Sequence, residues 1–199
     1  MQLVDKVKLS IGHAILNREV KELIRERTDP DIHRAASIGI LYDATDREEF
    51  FEVREFFKDL RDSRKKAVTL GYIDYKETLS FHPLARPESD YFFKNQLNWL
   101  SQPSASVVDH FIQEPFDILI NLSMKDLFPL DYIAAKSKAG LKIGRASSAI
   151  SNHYDISFHM AENADLESFA YTIIHYLSQI NNERSTSNSR KRSSHYYTV

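Results

Sequence analysis

A chain of 199 residues, 42% hydrophobic and 27% charged, is one domain's worth of sequence and long enough to bury a core without staples. Its formal net charge of -2 supplies no whole-molecule field for nucleic acid or membrane, so any such contact must be local. The absence of cysteine excludes disulfides, thiolate metal sites and cysteine nucleophiles together.

Asp5, Lys6 and Lys8 interrupt the apolar residues of the first ten positions, which therefore lack the continuous apolar region of a signal peptide. No stretch approaches the roughly 20 apolar residues of a membrane span, and a cytoplasmic location is expected. Residues 3–27 read as a long helix: Val4, Val7, Ile11 and Ile15 recur at three- and four-residue steps, and Val20, Leu23 and Ile24 continue the stripe. Gly12 weakens it by about 1 kcal/mol, and Asp29-Pro30 ends it, because a residue before proline is pushed out of the α region. The mixed charges of this helix point to packing on its own domain or on a partner rather than on a membrane surface.

Ser37 to Tyr42 is an apolar run suited to a strand buried on both faces. Thr45 with Glu48 forms a capping box for a helix over 46–62, with Phe50, Val53, Phe57 and Leu60 on one stripe. Residues 67–73 form the next strand, completing a βαβ unit. Between 74 and 103 the prolines Pro83, Pro87 and Pro103 obscure the pattern, and Tyr91-Phe92-Phe93 is the one short strand it offers. A helix over 104–113 leads to a second unit: strand 116–122, helix 130–139, strand 141–144, with Gly140 expected as the left-handed residue that ends the helix. A last strand over 154–159 and a helix over 166–180 close the domain. Residues 181–199 are rich in Asn, Ser, Arg and Lys and too poor in apolar surface to fold alone.

These elements predict an α/β fold: a single Rossmann-like or flavodoxin-like three-layer domain with a mostly parallel sheet over 35–180. A helical segment over 1–34 precedes it, and a disordered basic tail over 181–199 follows. In such a sheet, ligands bind beyond the carboxyl ends of the strands. That rule selects Asp43, Thr45 and Asp46 after the first strand and Asp74 after the second. It also selects Asn121, Ser123, Lys125 and Asp126 after the strand beginning at Phe116, and Arg145, Ser147 and Ser148 after the strand beginning at Leu141. Of these, Asp43, Thr45, Asp46, Ser123, Lys125 and Arg145 are the candidate ligand-binding set, competing with simpler roles as helix caps, turn formers and solvated charges.

The phosphate cradles GxxxxGK[ST] and GxGxxG, the GxSxG elbow and the HExxH zinc motif are all missing, and the eight histidines are dispersed. No catalytic residue, metal or cofactor is therefore expected. Trp99 beside Asn95, Gln96 and Asn98 is either a binding patch or a core residue. In the tail, Arg184, Arg190, Lys191 and Arg192 can touch nucleic-acid phosphates weakly and without sequence preference, with Tyr196 and Tyr197 able to stack on bases.

The segment FDILINLSMKDLFPLDYIAAKSKAGLKIGR, from Phe116 to Arg145, carries two resemblances. With the layout of the whole chain, it resembles a bacterial family of small α/β proteins of unknown function, which implies no activity. The segment is also similar to the N-terminal half of heptosyltransferase-type glycosyltransferases. Asp117, Ile118, Ile120, Ala134, Ala135, Ala139, Ile143 and Gly144 fit that pattern over about 30 residues. That resemblance implies at most a degenerate single-domain relative. Asp43-Ala44-Thr45-Asp46 stands where those enzymes carry a glycine-containing acceptor loop, and too little sequence follows for a nucleotide-sugar domain.

The leading expectation is a non-catalytic cytoplasmic module that binds a protein partner, with the N-terminal helix and the tail taking part. The alternative is a small-molecule-binding protein or enzyme using the six strand-end residues, which requires their side chains to converge.

Overall fold

The computed structural model describes residues 3–28, 31–45, 47–75, 88–146, 153–161 and 163–193, with side chains throughout except at 3–5, 47, 48, 61 and 181–193. Helix α1 spans Leu3–Val20, strand β1 Ser37–Asp43, α2 Arg47–Asp62 and β2 Lys66–Ile73. Then follow β3 Ser89–Phe93, α3 Ser106–Gln113, β4 Ile118–Asn121, α4 Phe128–Lys136, β5 Leu141–Arg145, β6 Ile156–Phe158 and α5 Leu166–Ser193.

The six strands form one sheet in the order β3-β2-β1-β4-β5-β6, and every neighbouring pair is parallel. This is the doubly wound order of Rossmann-type sheets; the flavodoxin order would place the third strand between the first and fourth. Because both faces are covered, β1 and β4 are apolar almost without interruption. Ile38, Ile40 and Tyr42 of β1 join Ile118 and Ile120 of β4 under α2 and α5, which supply Val53, Leu60, Phe169, Ile173 and Leu177. Leu41, Leu70 and Leu119 face the other way, under Val108, Phe111 and Ile112 of α3 and Leu130, Ile133 and Ala134 of α4.

Helix α1 lies outside this sandwich, on α4. Leu9, Leu16 and Val20 pack against Phe128, Tyr132 and Ala135, and the His13 ring meets Phe128 edge-on at 4.7 Å. The buried stripe is thus not the expected one: Val7 and Ile11 are exposed, and Leu16 is fully buried. The helix also stops at Val20, short of 27. From there the chain runs down to the sheet, where the Arg25 guanidinium donates to the carbonyls of Ala139 (3.0 Å) and Gly140 (2.8 Å) and to the Asp155 carboxylate. Continuing the helix would carry Arg25 away from these acceptors.

One further expectation is corrected. Gly140 does not adopt a left-handed conformation; α4 has already ended at Lys136, and the glycine admits Thr28, whose Oγ1 would lie 2.5 Å from an added Cβ. Tyr91 to Phe93 does form a strand, begun earlier at Ser89 and paired with β2 from Thr69 to Ile73. The backbone of α5 continues past Ile180 to Ser193, since no glycine or proline interrupts it. Pro30, Pro83 and Pro87 lie outside the described residues, as does the Glu48 side chain of the expected capping box.

Candidate functional site

The sheet reverses its winding between β1 and β4, so the crevice at their carboxyl ends is where an open parallel sheet places a ligand. Asp43 ends β1 and Asn121 ends β4. Between them rises Lys125, whose Nζ donates to Asp43 Oδ2 at 3.0 Å and pairs with Glu49 Oε1 of α2 at 3.3 Å. Burial works against the charge, but the hydrogen bond and the two carboxylates outweigh it and hold the Lys125 ammonium above its ordinary pKa. It is therefore a fixed cation, unsuited to act as a nucleophilic amine.

The surrounding turns hold this pair in place. Asp43 Oδ1 accepts the Thr45 N–H at 2.9 Å, an Asx-turn that reverses the chain toward α2. The Thr45 hydroxyl oxygen accepts the Asp74 N–H at 2.8 Å, tying this turn to the end of β2. Ser123 donates its hydroxyl to the Lys125 carbonyl at 2.9 Å and its N–H to Asn121 Oδ1 at 3.2 Å. Asp43, Thr45, Ser123 and Lys125 thus meet in one hydrogen-bonded group. Arg145, at the end of β5, pairs with Asp126 of the loop that carries Lys125. Asp46, Ser147 and Ser148 lie outside the described residues.

A neighbouring group escaped the sequence reading in part. The Tyr154 hydroxyl donates to Asp131 Oδ1 at 2.9 Å and accepts the Asn121 side-chain N–H at 2.8 Å. Asp131 is buried; desolvation first, and the Asp126 charge with it, overcome the Tyr154 hydrogen bond and the Arg145 charge to push its carboxyl up to about 7. Gly144 makes this possible, because an added Cβ would lie 2.5 Å from the Tyr154 ring. The Arg145 Nε is buried and has no hydrogen-bond partner among the described residues. One signal for this group is visible in sequence: Asn121 is a polar residue inside an apolar strand.

On the α2/α5 side lies a groove of about 820 Å³. Its floor is Ile32, Leu60, Ala170 and Ile174, with Phe51 and Tyr171 on its walls. Tyr171 is 69% exposed and Phe51 42%, a large apolar surface for two neighbouring helices to leave open. Glu52, Glu55, Asp59 and Glu167 also line the groove, against one lysine, Lys65, whose ammonium donates to the Ala35 carbonyl at 2.9 Å. Periodicity marked α2 as amphipathic, but that two aromatics would remain outside depends on how α5 crosses it.

Among the described residues no group of three His, Asp or Glu is placed to hold a metal ion, and no helix is long and apolar enough to cross a membrane. Trp99 is 67% exposed, so it is not a core residue. The side chains of Arg184, Arg190, Lys191 and Arg192 lie outside those described.

A family model described as a family of unknown function (DUF6913) matches residues 8–180, from within α1 to the turn of α5 that follows the buried Leu177. Neither the curated proteins nor the solved structures yield a match.

Proposed function

We propose, from the premise that the chain belongs to the family of unknown function DUF6913, that it is a non-catalytic α/β module of the cytoplasm that binds a protein partner in the α2/α5 groove. The observation that carries this reading is the groove itself: an apolar floor flanked by exposed aromatics and edged by four carboxylates. Its volume of about 820 Å³ falls within the few hundred to about 1,000 Å³ typical of occupied sites. The occupant that complements it is a partner's amphipathic helix, with apolar anchors on one face and Lys or Arg at its edges.

The test places a photo-crosslinking amino acid at Tyr171 in the full-length protein, and a control at the exposed Lys58 on α2. The expected product is a covalent adduct at Tyr171 alone, mapped to a basic amphipathic segment of another protein. Glu55→Lys with Glu167→Lys should reduce it at least tenfold. Adducts only to a second copy or to the chain's own tail, or indifference to the charge reversal, would overturn the reading.

A second reading is favoured by a separate observation. The buried Arg145 Nε, without a partner among the described residues, and the proton-holding Asp131 lie beside the switch point, where a small polar ligand would be seated. Native mass spectrometry of the protein from its own cells separates the two. A small molecule lost on Arg145→Gln supports the ligand; a bound polypeptide lost on the double charge reversal supports the groove.

A further inference from the structure

Away from both sites, the extended segment that follows α1 crosses the α4 face of the sheet beside β5 and encloses a polar pocket of about 240 Å³. Val20, Leu23, Ile24, Arg25, Arg27, Lys142 and His153 line it. Lys142 is the unexpected member. It stands between Leu141 and Ile143 in a strand buried on both faces, and it is itself only 1% exposed. An ammonium has three N–H groups to satisfy. Among the described residues one donates, to the Ala135 carbonyl in the last turn of α4 at 2.8 Å.

The charges around Lys142 do not balance. Arg25 and Arg27 add two cations, and both lean on one carboxylate, Asp155. Asp155 also accepts the Lys142 backbone N–H at 2.9 Å, so its oxygens are heavily used. Arg27 remains 77% exposed, and among the described residues it is held by a 3.5 Å contact from its Nε to Asp155. His153 lines the same space, and His13 of α1 is near enough to act on it electrostatically. His153 is held below its ordinary pKa by burial, then by Lys142 and by His13 of α1, and His13 is lowered by burial as well. Both are neutral at neutral pH and can donate an N–H. Burying a lysine beside two arginines is costly unless negative charge arrives.

We propose that this pocket is an anion site that takes a tetrahedral oxyanion of phosphate size, free or as the monoester of a small molecule, on Lys142, Arg27 and His153. Arg25 acts as a positioning residue: its guanidinium is committed to the Ala139 and Gly140 carbonyls and to Asp155, and it fixes the segment that carries Arg27. The volume suits one anionic head with a few waters and lies below the range of nucleotide-sized sites. Leu23 and Ile24, the latter 93% exposed, offer an apolar lip to whatever the anion is attached to.

Protonation ties the site to pH. Burial, then Arg25 and Arg27, push the Lys142 ammonium down to about 7 against the pull of Asp155. The lysine therefore charges as pH falls through neutrality, and an anion binds better to the charged form.

Calorimetric titration of the full-length protein with sulfate, inorganic phosphate and glycerol 3-phosphate, at constant ionic strength set by chloride, tests the proposal. Sulfate keeps its charge between about pH 6 and 8, so its affinity reports the protein alone. It should rise roughly five- to tenfold as pH falls over that range, the change expected when one group near 7 gains its proton. Lys142→Met should flatten this dependence although His13 and His153 remain. Arg27→Gln, on an exposed side chain that leaves the fold intact, should weaken all three anions at least fivefold. Tighter binding of glycerol 3-phosphate than of phosphate identifies a monoester as the ligand, and equal binding identifies the free anion. No heat above the chloride control, or equal affinity in wild type and Arg27→Gln, would overturn the site.

Discussion

Two carboxylates at opposite ends of the strands, Asp117 beside Ser37 and Asp131 beside Asn121, show how the protein tolerates ionisable groups. Asp117, at the start of β4, is pushed up by burial, but the N–H groups of Ala36 and Ser37 and the Ser37 hydroxyl outweigh this and hold it below its ordinary value. Among the described residues Asp131 has no backbone donor on its carboxylate, and desolvation wins. Its carboxyl titrates at about 7 in the folded protein against 3.8 ordinarily. Between these values the folded state holds a proton that the unfolded chain has released. The associated stability is thus fully present below about 3.8 and is lost as pH rises through about 7. Asp131→Asn keeps an oxygen to accept from Tyr154 and cannot ionise. Relative to this variant, wild type should lose on the order of 2–4 kcal/mol between about pH 4.5 and about pH 7.5. Urea denaturation of both proteins at the two pH values measures the difference, and an unchanged gap would mean that Asp131 ionises as freely folded as unfolded.

At the scale of elements, α1 decides what the α4 layer needs. Leu16 is fully buried between Phe128 and Ala135, on the outer face of a helix whose inner face already packs on the sheet. Leu16→Ala should cost about 3 kcal/mol, the middle of the range for a buried leucine, and calorimetry or denaturant melts will show it. A loss under about 0.5 kcal/mol would mean that α1 docks only loosely. Hydropathy could not find this face, because Gly12 and His13 sit at its centre and neither reads as apolar. The βαβ units around β1 and β4 were legible to within a residue or two at most of their ends, since strands buried on both faces are continuous apolar runs and their helices keep a 3.6-residue period. Their lateral order was not legible, because any of several orders buries the same residues. Lys142 left one trace, a charge within such a run, whereas Arg25 and Arg27 were read as part of the N-terminal helix, which stops at Val20, and His153 comes from a segment without periodicity.

For the whole molecule, the doubly wound order gives one crevice by topology, and the chain fills its mouth with its own Lys125, Asp43 and Glu49. Asp43 and Lys125 are 82 residues apart, and only the adjacency of β1 and β4 makes them partners. The groove and the anion pocket arise differently, from where α5 and the segment after α1 cross the sandwich, so they lie on opposite faces of the sheet. Among the described residues, the last buried one of α5 is Leu177, and Ser178 is the last to line the groove. The family match ends at 180, where the composition turns to Asn, Ser, Arg and Lys. A chain ending at Ile180 should therefore melt within about 0.5 kcal/mol of the full-length protein, the scatter expected of changes away from the core. The same truncation separates two roles for the basic tail. If it competes for the acidic groove, its removal should strengthen crosslinking of a partner at Tyr171; if it is a partner-binding arm, the crosslink should weaken. An unchanged crosslink with an unchanged melt would place the tail outside the groove and leave partner recognition to the α2 and α5 surfaces themselves.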